Sequence, residues 1–72
     1  MHAHGSTPFG ERLKQARRER GMDLETFADR VGVAVCMVTG YENRGRVPRL
    51  DSLIAMAQVL DCSLDWLCGL EN

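Results

Sequence analysis

The chain has 72 residues, one small domain's worth, and a domain of that size buries only about 60% of the surface its unfolded chain exposes, so a large catalytic cavity is excluded. Its 44% hydrophobic and 26% charged residues are the proportions of a folded soluble domain, not of a disordered chain. The net charge of −1 conceals a division: residues 1–50 hold nine bases against six acids (+3), and residues 51–72 hold four acids and no base (−4). Such a chain can turn a cationic face to a polyanion. No apolar run reaches the roughly 18 residues of a membrane span, and no basic-then-apolar leader is present. The expectation is a cytoplasmic protein with no membrane partner.

Residues 1–7 lack periodicity and read as a flexible N-terminal tail, with residues 8–72 as the folded domain. His2 and His4 in that tail bring no third ligand, so no metal is expected. Pro8 suits the first turn of a helix, with Thr7 as its cap. Phe9, Leu13 and Ala16 fall on one face, Arg12, Lys14, Arg18 and Arg20 on the rest, and Gly21 ends the segment. Asp23 can cap a second helix carrying Phe27, Ala28 and Val31, which Gly32 stops. Residues 35–42 form a third. The run 33–38 is apolar and β-branched and could by itself be a strand, but a lone strand has no partner, so the helical context wins. Asn43 to Pro48 is a turn-rich loop. Leu50, Leu53, Ile54, Ala57 and Leu60 mark the inward stripe of a fourth helix. Ser63 caps a fifth, with Leu64 and Leu67 facing inward and Trp66 open to either an inward or a surface place. The fold class is all-α. Cys36, Cys62 and Cys68 show no zinc spacing and read as small apolar fillers, so no cofactor is expected.

In a window opened at Leu24, Phe27, Val31, Val33, Val38 and Tyr41 occupy the places where two crossed helices bury apolar side chains. Ala28 falls at the close crossing, and Gly32 at the turn, where a positive φ redirects the chain. That pattern predicts a helix-turn-helix.

The run Gly21-Met22-Asp23-Leu24-Glu25-Thr26-Phe27-Ala28, followed by Val31-Gly32-Val33, Tyr41-Glu42-Asn43, Pro48 and Leu53, resembles a lambda-repressor/Cro-type (XRE-type) helix-turn-helix domain. The ending Cys62-Ser63-Leu64-Asp65-Trp66-Leu67 is similar to the last helix of the phage repressors in that group. The resemblance covers residues 9–70. It implies a compact five-helix, lambda-repressor-like domain of bacterial or phage origin. It also implies a transcriptional regulator, repressor-like, that binds double-stranded operator DNA as a homodimer with its third helix in the major groove. By the same resemblance Arg17 and Glu42 form a partly buried ion pair, and Asn43 with Arg44, Arg46 and Arg49 meets backbone phosphates. Three arginines around Gly45 suit that task, because guanidinium forks match phosphate oxygens.

The third helix departs from the family. Leu24 stands where the family usually has Gln. The reading positions hold Ala34, Val35, Cys36, Met37 and Gly40, which leaves Thr39 as the hydrogen-bonding group. Base edges are distinguished chiefly by bidentate Arg, Lys, Asn or Gln, none of which is present there, although Ala34, Val35 or Met37 can touch thymine methyls. Leu24, Val35, Cys36 and Met37 would instead form an exposed apolar patch. The alternative function is therefore a protein-interaction module that docks a protein partner on the apolar face of the third helix. An enzyme is not expected, since no nucleophile–base set occurs. The fifth helix has more apolar surface than one inward stripe can use, and Trp66, Cys68 and Leu70 are the expected dimer interface.

Overall fold

In a computed structural model, residues 7–70 are described and form α1 (Pro8–Glu19), α2 (Leu24–Val31), α3 (Val35–Asn43), α4 (Leu50–Leu60) and α5 (Leu64–Leu67). No strand occurs among the described residues, and none of their helices is long and apolar enough to cross a membrane. The tail expected at residues 1–7, with His2 and His4, lies outside the described residues except for Thr7.

Local chemistry accounts for most helix ends. Thr7 accepts the Gly10 amide at 2.9 Å and Pro8 opens α1. Asp23 accepts the Thr26 amide at 2.7 Å to start α2, and that hydrogen bond holds its carboxyl below the usual range. Ser63 accepts the Trp66 amide at 3.0 Å to start α5. Gly32, at φ 90°, closes α2 while its own amide and that of Val33 both return to the Ala28 carbonyl. The apolar run 33–38 opens α3 with no side-chain cap, and the Met37 and Val38 amides turn back to the Ala34 carbonyl at 3.0 and 3.3 Å.

The helices enclose a core of Leu13, Phe27, Val38, Met56, Leu60 and Leu67, with Tyr41, Ala28 and Met22 around it. α3 lies against both α1 and α2, α2 also meets α4, and α5 bridges α1 and α4. Gly10 marks the closest approach: a Cβ there would stand 2.6 Å from the Tyr41 carbonyl oxygen and 2.8 Å from that of Glu42. α1 therefore meets the backbone of α3 itself, a crossing that only glycine allows.

On α4 the inward stripe differs from the expected one. Leu50 is 68% and Ile54 39% exposed, while Met56 is fully buried beside Ala57 and Leu60. α4 packs against α2 and α5, and Leu53, Met56, Ala57 and Leu60 join the core while Leu50, in the first turn, does not. Leu64 on α5 is likewise exposed, and Leu67 carries the burial. Two of the cysteines expected as fillers, Cys36 and Cys68, are exposed, and Cys62 is half-buried, with desolvation pushing its thiol up.

Candidate nucleic-acid interface

The interface is organised by the rotation of α3. Val38, Tyr41 and Glu42 turn inward on one side. At about 100° per residue, Cys36, Gly40 and Asn43 fall on the opposite side, with Thr39 and Met37 flanking them.

The inward side is held by charge as well as by apolar packing. Arg17 of α1 and Glu42 of α3 form a two-pronged bridge, Nε to Oε2 at 2.8 Å and Nη2 to Oε1 at 3.2 Å. Arg17 also donates from Nη1 to the Met22 carbonyl at 2.8 Å, so its remaining prong fixes the turn before α2. Both residues are buried, at 7% and 2% exposure, and no buried side-chain polar atom among the described residues lacks a partner. A buried carboxylate and guanidinium persist only when geometry and hydrogen bonding are this complete. Two helices remote in sequence are thereby held at one relative position.

The outward side carries Cys36, Thr39 and Gly40 of the expected reading positions. Ala34, Val35 and Cys36 are exposed at the N-terminal end of α3. Thr39 donates its hydroxyl proton to the Val35 carbonyl at 3.1 Å, which leaves its oxygen free to accept. Asn43 is exposed at the far end, where its Oδ1 accepts from Lys14 Nζ at 2.7 Å. Lys14 is thus brought from α1 to the α3 terminus. The sequence placed it on a polar face and carried no signal of this contact. Beyond it, Arg44 and Arg49 are exposed, Arg49 with a loose 3.6 Å pairing to Asp51.

Two of the expected reading positions are less exposed than the sequence suggested. Gly40 is buried although it lies on the outward side, and Met37 is half-buried. One side chain accounts for both: the alkyl stem of Arg46 lies on Gly40, and its Nη1 donates to Met37 Sδ at 3.3 Å. Leu24 is half-buried as well. The apolar patch expected at Leu24, Val35, Cys36 and Met37 is therefore reduced to Val35 and Cys36.

On α5, Trp66 of the expected dimer surface is half-buried; the Arg12 guanidinium lies 5.1 Å from its ring centroid and donates to its carbonyl at 2.6 Å. Cys68 and Leu70 are exposed. A shallow groove between α4 and α5, lined by Ile54, Ala57, Cys62 and Leu64, adds apolar surface that the sequence did not point to.

Short helices, a left-handed glycine between α2 and α3, and an ion pair locking α3 to α1 define a lambda-repressor-like helix-turn-helix domain. The helix-turn-helix family model matches residues 13–67, and the chain belongs to that family, as an XRE-type member. It is 35% identical over 64 residues to YobD of Bacillus subtilis, an HTH-type transcriptional regulator, covering 89% of this chain and 57% of YobD. The chain thus spans little more than half the length of the curated relatives it matches. Among solved structures, the N-terminal DNA-binding domain of SinR from Bacillus subtilis is similar, with a TM-score of 0.78 and 32% identity over 89% of this chain and 91% of that one. The P22 c2 repressor, solved with a synthetic operator, has a TM-score of 0.84 over 92% of this chain and all of its own, and its 24% identity speaks for the fold alone.

Proposed function

We propose that the domain binds double-stranded operator DNA with α3 in the major groove, within a cytoplasmic, repressor-like transcriptional regulator that acts as a homodimer. The observation that carries this reading is the two-sidedness of α3. Its inner side is locked to α1 by a buried ion pair, while its outer side is flanked by Lys14, Arg44, Arg46 and Arg49. A rigidly held helix with cations at its C-terminal end suits insertion between phosphate walls. Asn43 supports the same role, since its amide nitrogen remains available for a phosphate once its oxygen has engaged Lys14.

The protein-docking alternative is weaker in the folded chain, because Arg46 covers Met37 and the remaining patch of Val35 and Cys36 is small. For the dimer, Cys68 and Leu70 of the expected surface are exposed, and Ile54 and Leu64 add exposed apolar surface in the groove between α4 and α5.

The test is binding to duplex DNA across a range of salt concentrations. Three phosphate-contacting cations per subunit, from Lys14, Arg44 and Arg49, predict a log–log salt slope of about −4 to −6 for a dimer, since each contact contributes about −0.9. Absence of binding to any duplex at low salt overturns the proposal. Sedimentation gives the assembly state: Leu64→Glu is expected to leave a monomer where the unmodified chain dimerises. A monomer at all concentrations, with and without DNA, rejects the homodimer.

A further inference from the structure

Resting on the operator-binding reading above, we infer that Arg46 is a base reader: its guanidinium crosses Gly40 onto the outward side of α3, where it recognises a guanine edge in the major groove. The helix needs such a group. Among Ala34, Val35, Cys36, Met37, Thr39 and Gly40 no side chain can form the two parallel hydrogen bonds that single out one base pair, and the one amide of α3 that could, Asn43, lies at the C-terminal end with its oxygen engaged by Lys14. An arginine fork directed at guanine N7 and O6 does this better than any other contact.

Three observations place the fork there. The Arg46 amide donates to the Gly40 carbonyl at 3.1 Å, as does that of Arg44 at 3.0 Å, so the loop is folded back onto the end of α3. The Arg46 stem then lies directly on Gly40, about 200° round the helix from Val38 and hence on the side opposite the core. Its Nη1 reaches Met37 Sδ, three residues or about 4.5 Å nearer the N-terminal end of α3. Recognition helices meet base edges with that end.

Gly40 has a matching role. A Cβ at that position would stand 2.5 Å from Arg46 Cδ and 3.2 Å from Cγ, so any larger residue displaces the stem. The glycine is a notch that admits the arginine. The thioether of Met37 is a weak acceptor that orients the fork without neutralising it, and a guanine edge can replace it at little cost.

The experiment is enrichment of bound duplexes from a randomised DNA library, using the full chain and three variants, followed by salt titration on the duplex the unmodified chain selects. The inference expects a guanine in each selected half-site. Arg46→Ala loses the preference at that base pair, roughly 5- to 150-fold, while other positions and the salt slope persist. Arg46→Lys keeps the charge and the slope but lacks the fork, and loses the same preference. Gly40→Ala retains Arg46 yet shows the same positional loss, with unchanged helical content by circular dichroism. Replacing the guanine by 7-deazaguanine weakens the unmodified chain and leaves Arg46→Ala unaffected. A uniform loss on all duplexes in Arg46→Ala, with the selected motif intact and the slope flattened by about one per subunit, makes Arg46 a phosphate contact and overturns the inference. Duplex binding with no selected motif overturns it too, leaving operator-independent binding. No duplex binding by the unmodified chain removes the operator-binding reading and this assignment with it.

Discussion

The two sides of α3 are built from opposite materials. On the inner side Val38, Tyr41 and Glu42 are buried against α1 and α2, no buried side-chain polar atom among the described residues lacks a partner, and the α1 backbone approaches so closely that Gly10 admits no side chain. Toward the outer side Cys36 stands in solvent with Ala34 and Val35 at the same end of the helix, Thr39 turns its hydroxyl back to the Val35 carbonyl, Asn43 accepts from Lys14, and Arg46 is borrowed from the following loop. The contrast separates two tasks that share one short helix. The inner side fixes where the helix is, and the outer side contributes little to holding it there. Substitutions on the two sides should therefore differ in kind: inner ones cost stability, and outer ones change binding with the fold intact.

The largest expected effect is on the ion pair. Glu42→Ala leaves the Arg17 guanidinium buried without its partner and is expected to lower unfolding free energy by about 3–5 kcal/mol in a denaturant titration. Adding Arg17→Met to that variant should recover part of the loss, because the uncompensated charge is then gone. A loss of a few tenths of a kcal/mol in the single variant would put the pair in effective contact with water and remove the contrast between the two sides.

Gly10→Ala comes next. The added methyl meets the Tyr41 and Glu42 carbonyl oxygens, so α1 and α3 must separate, at a cost of about 1–3 kcal/mol read from the same titration. The gain in helix propensity, up to about 1 kcal/mol, opposes this and does not reverse it. A stabilised variant would show that the two backbones are not in contact.

The smallest effect belongs to the outer side. Cys36→Ala is expected to change stability by no more than about 0.5 kcal/mol. Thr39→Ala should be similarly mild, while altering the preference among selected duplexes and leaving non-specific affinity unchanged. A loss on Cys36→Ala comparable to that of Gly10→Ala would mean that the outer side also carries the fold.

Much of this architecture was legible from residue order. The caps at Thr7, Asp23 and Ser63, the stop at Gly32 and the spacing of Leu13, Phe27, Val38 and Leu60 are local features, set by hydrogen-bonding side chains and a 3.6-residue period. On α4 the period alone misplaced the stripe. Leu50 and Ile54 fit it as well as Met56 does, and a periodic pattern does not say which side a neighbouring helix will cover. Trp66 was similarly undecided until Arg12 lay over it. The exposure of Cys36 and Cys68 depends on the same question of what packs alongside.

By itself the sequence determined that five short helices form, where they stop, that α2 and α3 make a helix-turn-helix, and that cations cluster around the loop after α3. These follow from interactions between residues a few positions apart. The tertiary structure decided what depends on distance through space: that Arg17 reaches Glu42 with both prongs, that Gly10 lets α1 touch the α3 backbone, that Lys14 joins Asn43, and that Arg46 lies over Gly40. Each of these pairs residues on different elements. Helical periodicity fixes directions around one axis and leaves open the positions of the other axes, which are settled by packing of the whole core.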